Sequence, residues 1–166
     1  MNRFNFGMLG CMRHSKRSRN DWQQLQLSPS DPAPVKTRLD AVLFFDGGCE
    51  PNPGEGTAGF VLKIANGKVV ERSTDLGHGT NNTAEYNALI LGLEEAVAQD
   101  VTHIEVYGDS MIVIGGVKKG PWKKGKPHLE ALKARAIELL RSFSFVDLNW
   151  VGREENEEAH NLTVKA

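Results

Sequence analysis

The sequence predicts an α/β domain built on a mixed β-sheet, and three observations carry that prediction. Three strand-like runs follow one another through short turns between residues 41 and 76. A helical periodicity then separates them from a fourth strand-like run. A further helical stretch lies between the fourth run and a fifth. Strands joined by tight turns pair antiparallel, whereas strands joined through a helix pair parallel by a crossover. With 166 residues, 40% of them hydrophobic and 25% charged, the chain can bury one good core and is short for two.

Each element has its own signal. "AVLFFD" (41–46) is an apolar run ending in an acid, and the following "GGCEPNPGEG" has the glycine and proline content of a turn. "TAGFVLKI" and "KVVERSTDL" are the next two strands, split by the turn "ANG" at 65–67. A helix is expected over 82–98, where Leu89, Leu93, Ala96 and Val97 recur on one amphipathic face. "THIEVYGD" (102–109) is the fourth strand, and "SMIVIGGV" opens a short helix. Leu129, Leu132, Ala136, Leu139 and Leu140 mark a longer helix, "FSFVDLNWV" the fifth strand, and 154–165 a closing helix. No internal repeat is visible.

Residues 1–39 read differently. They show no periodicity, and "LSPSDPAPVK" (27–36) packs three prolines and two serines into a linker-like stretch. The arm is expected as a mobile, basic extension without its own fold, ahead of a folded domain at 40–166. Its first 20 residues lack acids, which also suits an organelle transit peptide or a tail that touches nucleic acid. Of the 20 basic and 21 acidic residues, seven and three fall in 1–40, leaving 13 and 18 in the body. An acidic body must concentrate its lysines locally to attract phosphate. "VKKGPWKKGKP" (117–127) does so, with five lysines around Trp122 and no acid.

Several function classes are disfavoured. No stretch reaches the roughly 20 apolar residues of a membrane-spanning helix, and the N-terminus has no apolar run of secretory-signal length. Cys11 and Cys49 lie far apart with no CxxC or Cys/His spacing, so neither a disulfide framework nor a zinc site is indicated. A monomeric cytoplasmic protein is the expectation, with no membrane partner.

Three acids carry the chemical signal: Asp46 at the end of strand one, Glu85 in the first turn of the first long helix, and Asp109 just past strand four. In an open sheet with crossovers, ligands collect at the carboxyl ends of the parallel strands. Asp46 and Asp109 would face one crevice if strands one and four are neighbours. Converging carboxylates repel one another and persist most readily around a divalent cation, and an all-oxygen donor set selects magnesium or manganese over zinc. Each acid also has a purely structural reading. Asp46 opens a turn, Asp109 could cap a helix, and Glu85 fits a capping box begun by Asn82, worth about 1 kcal/mol.

The wording around these acids is more specific. "FFDGGCEPNPGEGTAGFVL", "TNNTAEYNALILGL", "VYGDS" and "REENEEAHNL", in this order and spacing, closely resemble the motifs of type 1 ribonuclease H. The resemblance covers about residues 40–166. It implies a ribonuclease H-like fold, a five-stranded sheet in the order 3-2-1-4-5 flanked by helices. It implies an endonuclease that hydrolyses the RNA strand of RNA/DNA hybrids with two divalent ions and leaves 5′-phosphate ends. Asp46, Glu85 and Asp109 match three of the family's four metal-binding carboxylates. The "DGGCEPNPG" turn, with Gly47, Gly48, Cys49 and Asn52, resembles the loop that meets RNA 2′-hydroxyls. By the same resemblance Asn81 and Asn82 reach the minor groove and Thr80 a DNA phosphate. The short 117–127 segment places the chain nearer the archaeal and plant-like members than those with a long basic protrusion. Trp122, Lys123 and Lys124 could still line the DNA-strand groove.

The chain departs from the family in its last helix. The pattern there is Asn, two residues, Ala, Asp, one residue, Leu, and the aspartate is the fourth metal ligand. Asn156, Ala159 and Leu162 keep their places, but His160 fills the aspartate's, with Asn161 beside it. Strict spacing favours His160 over Asn161 as the group facing the metals. Neither supplies the negative charge that magnesium prefers, so weaker binding of one ion and a shift towards manganese are expected. Met111 stands where the family often has an RNA-contacting glutamine. Arg153 matches the region of a mobile residue that assists product departure. A second reading follows from the missing acid: a hybrid-binding module with little or no cleavage. A phosphoryl-receiving signalling domain is disfavoured, because no lysine follows "FSFVDLNWV" and the chain opens on a three-strand meander.

Overall fold

In the computed structural model the described residues are 38–119 and 127–164, so residues 1–37 of the N-terminal arm, Trp122, Lys123 and Lys124 lie outside them. The described chain runs β1 (Ala41–Cys49), β2 (Gly54–Ile64), β3 (Val69–Gly79), α1 (Asn81–Ala98), β4 (His103–Gly108), α2 (Met111–Lys118), α3 (Pro127–Leu140) and β5 (Phe145–Trp150). A 3-10 turn (Arg153–Asn156) then leads into α4 (Glu157–Val164). The five strands form one sheet in the order β3-β2-β1-β4-β5. β1, β2 and β3 pair antiparallel, as their tight turns require, and β4 adds parallel to β1 and β5 parallel to β4.

Neighbouring strand residues point to opposite faces, and two glycines of β1 show what covers each face. A Cβ on Gly47 would meet the backbone of Ala84 in α1, while one on Gly48 would sit 3.7 Å from Thr163 in α4. The main core lies on the α1 side. Leu43, Phe45, Phe60, Leu62, Leu89, Leu93, Ile104 and Val106 are fully buried there, with Leu129 and Ala136 of α3 stacked behind α1. Burying one such side chain stabilises the fold by about 1.5–3 kcal/mol. Val97, expected on the same helical face, is instead 40% exposed. It neighbours Ala96 in sequence and so falls about 100° further round the helix.

The element boundaries correct three expectations. β1 does not stop at Asp46: Gly47, Gly48 and Cys49 continue the antiparallel ladder opposite Ala58, Thr57 and Gly56. The cap of α1 is Thr80, not Asn82. Its hydroxyl accepts from the Thr83 amide at 3.3 Å, and the Thr83 hydroxyl accepts from the Thr80 amide at 2.8 Å. Glu85 therefore sits in the second turn and caps nothing. Ser110, rather than Asp109, caps α2 by accepting from the Val113 amide. All three acids lose the structural explanations that the sequence offered.

Gly47 is where packing decides the residue. A Cβ there would lie 2.2 Å from Ala84 C and from Glu85 N, both backbone atoms that cannot step aside. Gly47→Ala is expected to destabilise the domain by about 3 kcal/mol, at the upper end for overpacking. Chemical denaturation checks this; an unchanged midpoint would show that α1 does not press on β1 there.

Candidate active site

The parallel register between β1 and β4 ends at Phe45 opposite Gly108. Asp46 and Asp109 are the next residues on each strand, so the chain delivers both carboxyls to the same end of the sheet. α1 crosses β1 closely over Gly47 and adds Glu85. One carboxylate oxygen from each of the three acids lies within 4.8 Å of the other two. Three segments scattered along the sequence thus converge on one point.

The electrostatics of that point are severe. Burial first, then the nearby charges of Asp46 and Asp109, push the Glu85 carboxyl up to about 9, against the opposing pull of Arg153. Glu85 Oε2 is buried and has no hydrogen-bond donor among the described residues. An oxygen left bare beside two further carboxyls is poorly served by protein alone and well served by a divalent cation. The donor set, oxygen throughout, fits a hard ion such as magnesium or manganese.

Asp46 is buried, and its Oδ2 accepts from His160 Nδ1 at 2.9 Å and from Thr163 Oγ1 at 3.2 Å. Both donors come from α4. The intervening 3-10 turn resets the helix phase, so His160 faces the carboxylates while Asn161 is exposed and absent from the groove lining. Asp109 is held from the other side. Asn156, buried, donates through Nδ2 to its Oδ1 at 3.2 Å and to the Phe45 carbonyl at 2.9 Å. Trp150 Nε1 donates to the Asp109 carbonyl at 2.9 Å. Asn156, Thr163 and Trp150 hold the acids in place, and sequence reading assigned none of them this role. Thr163 had a usable signal, since it lies three residues after His160 on one helical face.

Asp46 and Glu85 open into a groove of about 650 Å³, with Gly47, Gly48 and Asn81 among its lining residues. Of the residues expected to meet substrate, Gly47, Gly48, Cys49, Asn81 and Arg153 line it, whereas Asn52, Thr80 and Asn82 do not. Asn52 Oδ1 accepts from the Asn81 amide at 3.2 Å, tying the β1–β2 loop to the start of α1. Cys49 is buried, and its thiol points into the base of that loop, 3.0 Å from the Gly54 carbonyl. The Thr80 hydroxyl is engaged in the helix cap. Arg153 is largely exposed at the groove edge, and Met111 is 66% exposed at the start of α2.

A family model described as "Reverse transcriptase-like" matches residues 44–166. Ribonuclease HI of Halobacterium salinarum is 39% identical over 124 residues, which are 74% of this chain and 62% of that protein. Ribonuclease H of Desulforamulus reducens is 31% identical over 76% of this chain and 87% of its own length. The chain belongs to the type 1 ribonuclease H family. The crystal structure of the Halobacterium RNase H1 superposes with a TM-score of 0.70 at 37% identity, covering 76% of this chain and 96% of that one. LC11-RNase H1, solved in complex with an RNA/DNA hybrid, gives 0.67 at 29% identity over 76% and 95%. The chain thus spans just under two thirds of the Halobacterium protein's sequence.

The crowding of the three acids has a consequence for stability. A carboxyl raised from 4.5 to about 9 holds its proton in the fold and loses it in the unfolded chain, so stability falls as pH rises across that window. Glu85→Gln removes the penalty and lets an amide donate to its neighbours. In chelator at pH 8 the variant is expected to be more stable than the parent by roughly 1–2 kcal/mol. The gain should vanish near pH 4 and shrink when magnesium is added. Equal melting temperatures at both pH values would refute it.

Proposed function

We propose that this chain is an endonuclease that hydrolyses the RNA strand of RNA/DNA hybrids, leaving 5′-phosphate ends. The observation that carries the proposal is the convergence of Asp46, Glu85 and Asp109 to within 4.8 Å at the end of the parallel ladder. These three would hold two magnesium or manganese ions, with His160 at the fourth position in place of a carboxylate. Bound there, the ions supply Lewis acidity to an attacking water and to the leaving 3′ oxygen. The family kinship and the hybrid carried by LC11-RNase H1 support the same substrate.

The chain's own side chains prepare the site. His160 and Thr163 donate to one oxygen of Asp46 and leave its other oxygen for a ligand. Asn156 fixes the rotamer of Asp109 through one oxygen only, with the same effect. Held ligands matter because a small displacement of reacting groups is costly in rate. The loop carrying Gly47, Gly48, Cys49 and Asn52 is assigned to the RNA strand, with backbone rather than the inward thiol of Cys49 meeting 2′-hydroxyls. Thr80, Asn81 and Asn82 are assigned to the minor groove and the adjoining phosphate, and Trp122, Lys123 and Lys124 to the DNA strand. Arg153 faces the same groove. The short 117–127 segment and the replaced fourth acid mark the chain as an atypical member of the archaeal and plant-like subgroup, and residues 1–39 as an extension outside the nuclease domain.

His160 favours one further reading. Because it brings no negative charge to the fourth position, the second ion should bind weakly and manganese should outperform magnesium; in the limit the chain binds hybrid without cutting it. End-labelled hybrid incubated with each metal separates the two. Cleavage that Asp46→Asn lowers by about a hundredfold or more supports the nuclease, whereas a protein that shifts the hybrid in a gel yet cuts it with neither metal supports the binding module. His160→Asp is expected to lower the magnesium concentration needed for half-maximal cleavage. An unchanged magnesium profile would remove His160 from the metal site.

A further inference from the structure

The carboxylate cluster already has a cation in the fold. Arg153 Nη2 lies 2.8 Å from His160 Nδ1 and 2.9 Å from Nε2, and Nη1 lies 3.9 Å from Asp109 Oδ2. His160 meets the Asp46 carboxylate through Nδ1. A carboxylate oxygen only accepts, so the ring hydrogen on Nδ1 is directed at Asp46, and the guanidinium lies against both ring nitrogens rather than on a single lone pair. The guanidinium therefore spans from the residue at the fourth ligand position to the third carboxylate. It lies along the groove wall with Asp46 and Glu85. Its charge is felt by Glu85, where it opposes the effects of burial and of the neighbouring Asp46 and Asp109.

This arrangement depends on histidine at position 160. An aspartate there would add a fourth negative charge that a divalent cation could claim more strongly than a guanidinium. A histidine ring adds no carboxylate, and the Arg153 guanidinium lies within 2.9 Å of both its nitrogens. Arginine suits this duty because its fork keeps its charge at any working pH and can engage two acceptors at once.

We infer that Arg153 is a tethered counter-cation occupying the His160 side of the cluster, so that the free protein binds one divalent ion tightly and a second only after the guanidinium has moved away. The inference rests on the metal-dependent reading above, and adds to it a competitor built into the chain. Arg153 is a positioning residue here. Its side chain is 63% exposed and starts a short turn, so its removal leaves the core untouched.

Manganese binding to the full-length protein, followed by isothermal titration calorimetry and by electron paramagnetic resonance of free ion, tests this without any turnover. The parent is expected to bind one ion in the tight phase, and Arg153→Ala two, with the second site strengthened about tenfold. Identical isotherms for parent and variant, with at least one ion bound, would overturn the counter-cation while leaving the nuclease reading intact. Absence of manganese binding in both proteins would overturn both.

Discussion

Everything distinctive about this molecule follows from holding three carboxyls within 4.8 Å of one another. Such a cluster opposes folding, because two like charges 4 Å apart repel by about 4 kcal/mol at an effective dielectric of 20. The fold overrides that repulsion with neutral packing. The β1–β4 ladder fixes Asp46 beside Asp109, and the apolar face of α1 presses Glu85 down over Gly47. Part of the cost is met by protonation, with Glu85 retaining its proton to about pH 9. The cluster is thus a small region of stored repulsion inside a well-packed domain, the arrangement expected where a cation is to be captured.

The partners of the acids are chosen to orient without neutralising. Asn156, Thr163 and Trp150 are uncharged donors, each occupying a single oxygen or a backbone carbonyl. A lysine at any of these positions would cancel the charge that attracts a metal. His160 belongs with this set when it is neutral, since it donates to Asp46 and brings no charge. Arg153 is different in kind, being charged, exposed and long enough to withdraw. The site therefore separates orientation, given to fixed neutral groups, from charge balance, given to a movable one.

Much of this was legible in the chain. Five strand runs, their helical separators and the acids at strand ends were visible because period and turn content are local properties. What escaped depends on pairing between distant segments. Gly47 to Cys49 read as turn residues, yet β2 supplies a ladder partner for each and draws them into the strand. Asn82 and Glu85 had the spacing of a capping box, but Thr80 took the cap two residues earlier through Thr83. The choice between His160 and Asn161 turned on helix phase, which a 3-10 turn at Arg153–Asn156 sets and which no periodicity in so short a segment reveals. Asn156 is the sharpest case. Its side chain reaches a carbonyl 111 residues away in sequence, and nothing near it signals that contact.

The groove poses a final electrostatic problem. Besides Asp46 and Glu85 of the cluster it is bordered by Glu50, Glu55 and Asp75, and the body as a whole carries 18 acidic against 13 basic residues. A polyanionic duplex would be repelled by such a wall in the absence of counter-charge. Divalent ions in the cluster would reverse the local sign, so under the proposed function metal loading and hybrid binding would become one linked equilibrium rather than two independent steps. Arg153 then stands at the junction of both. A phosphate oxygen arriving at the groove edge would offer the guanidinium a charged acceptor in place of the His160 ring, and charge-assisted hydrogen bonds are the stronger kind. Substrate arrival and release of the second cation position would be the same event, which ties the replaced fourth acid to the residue that compensates for it.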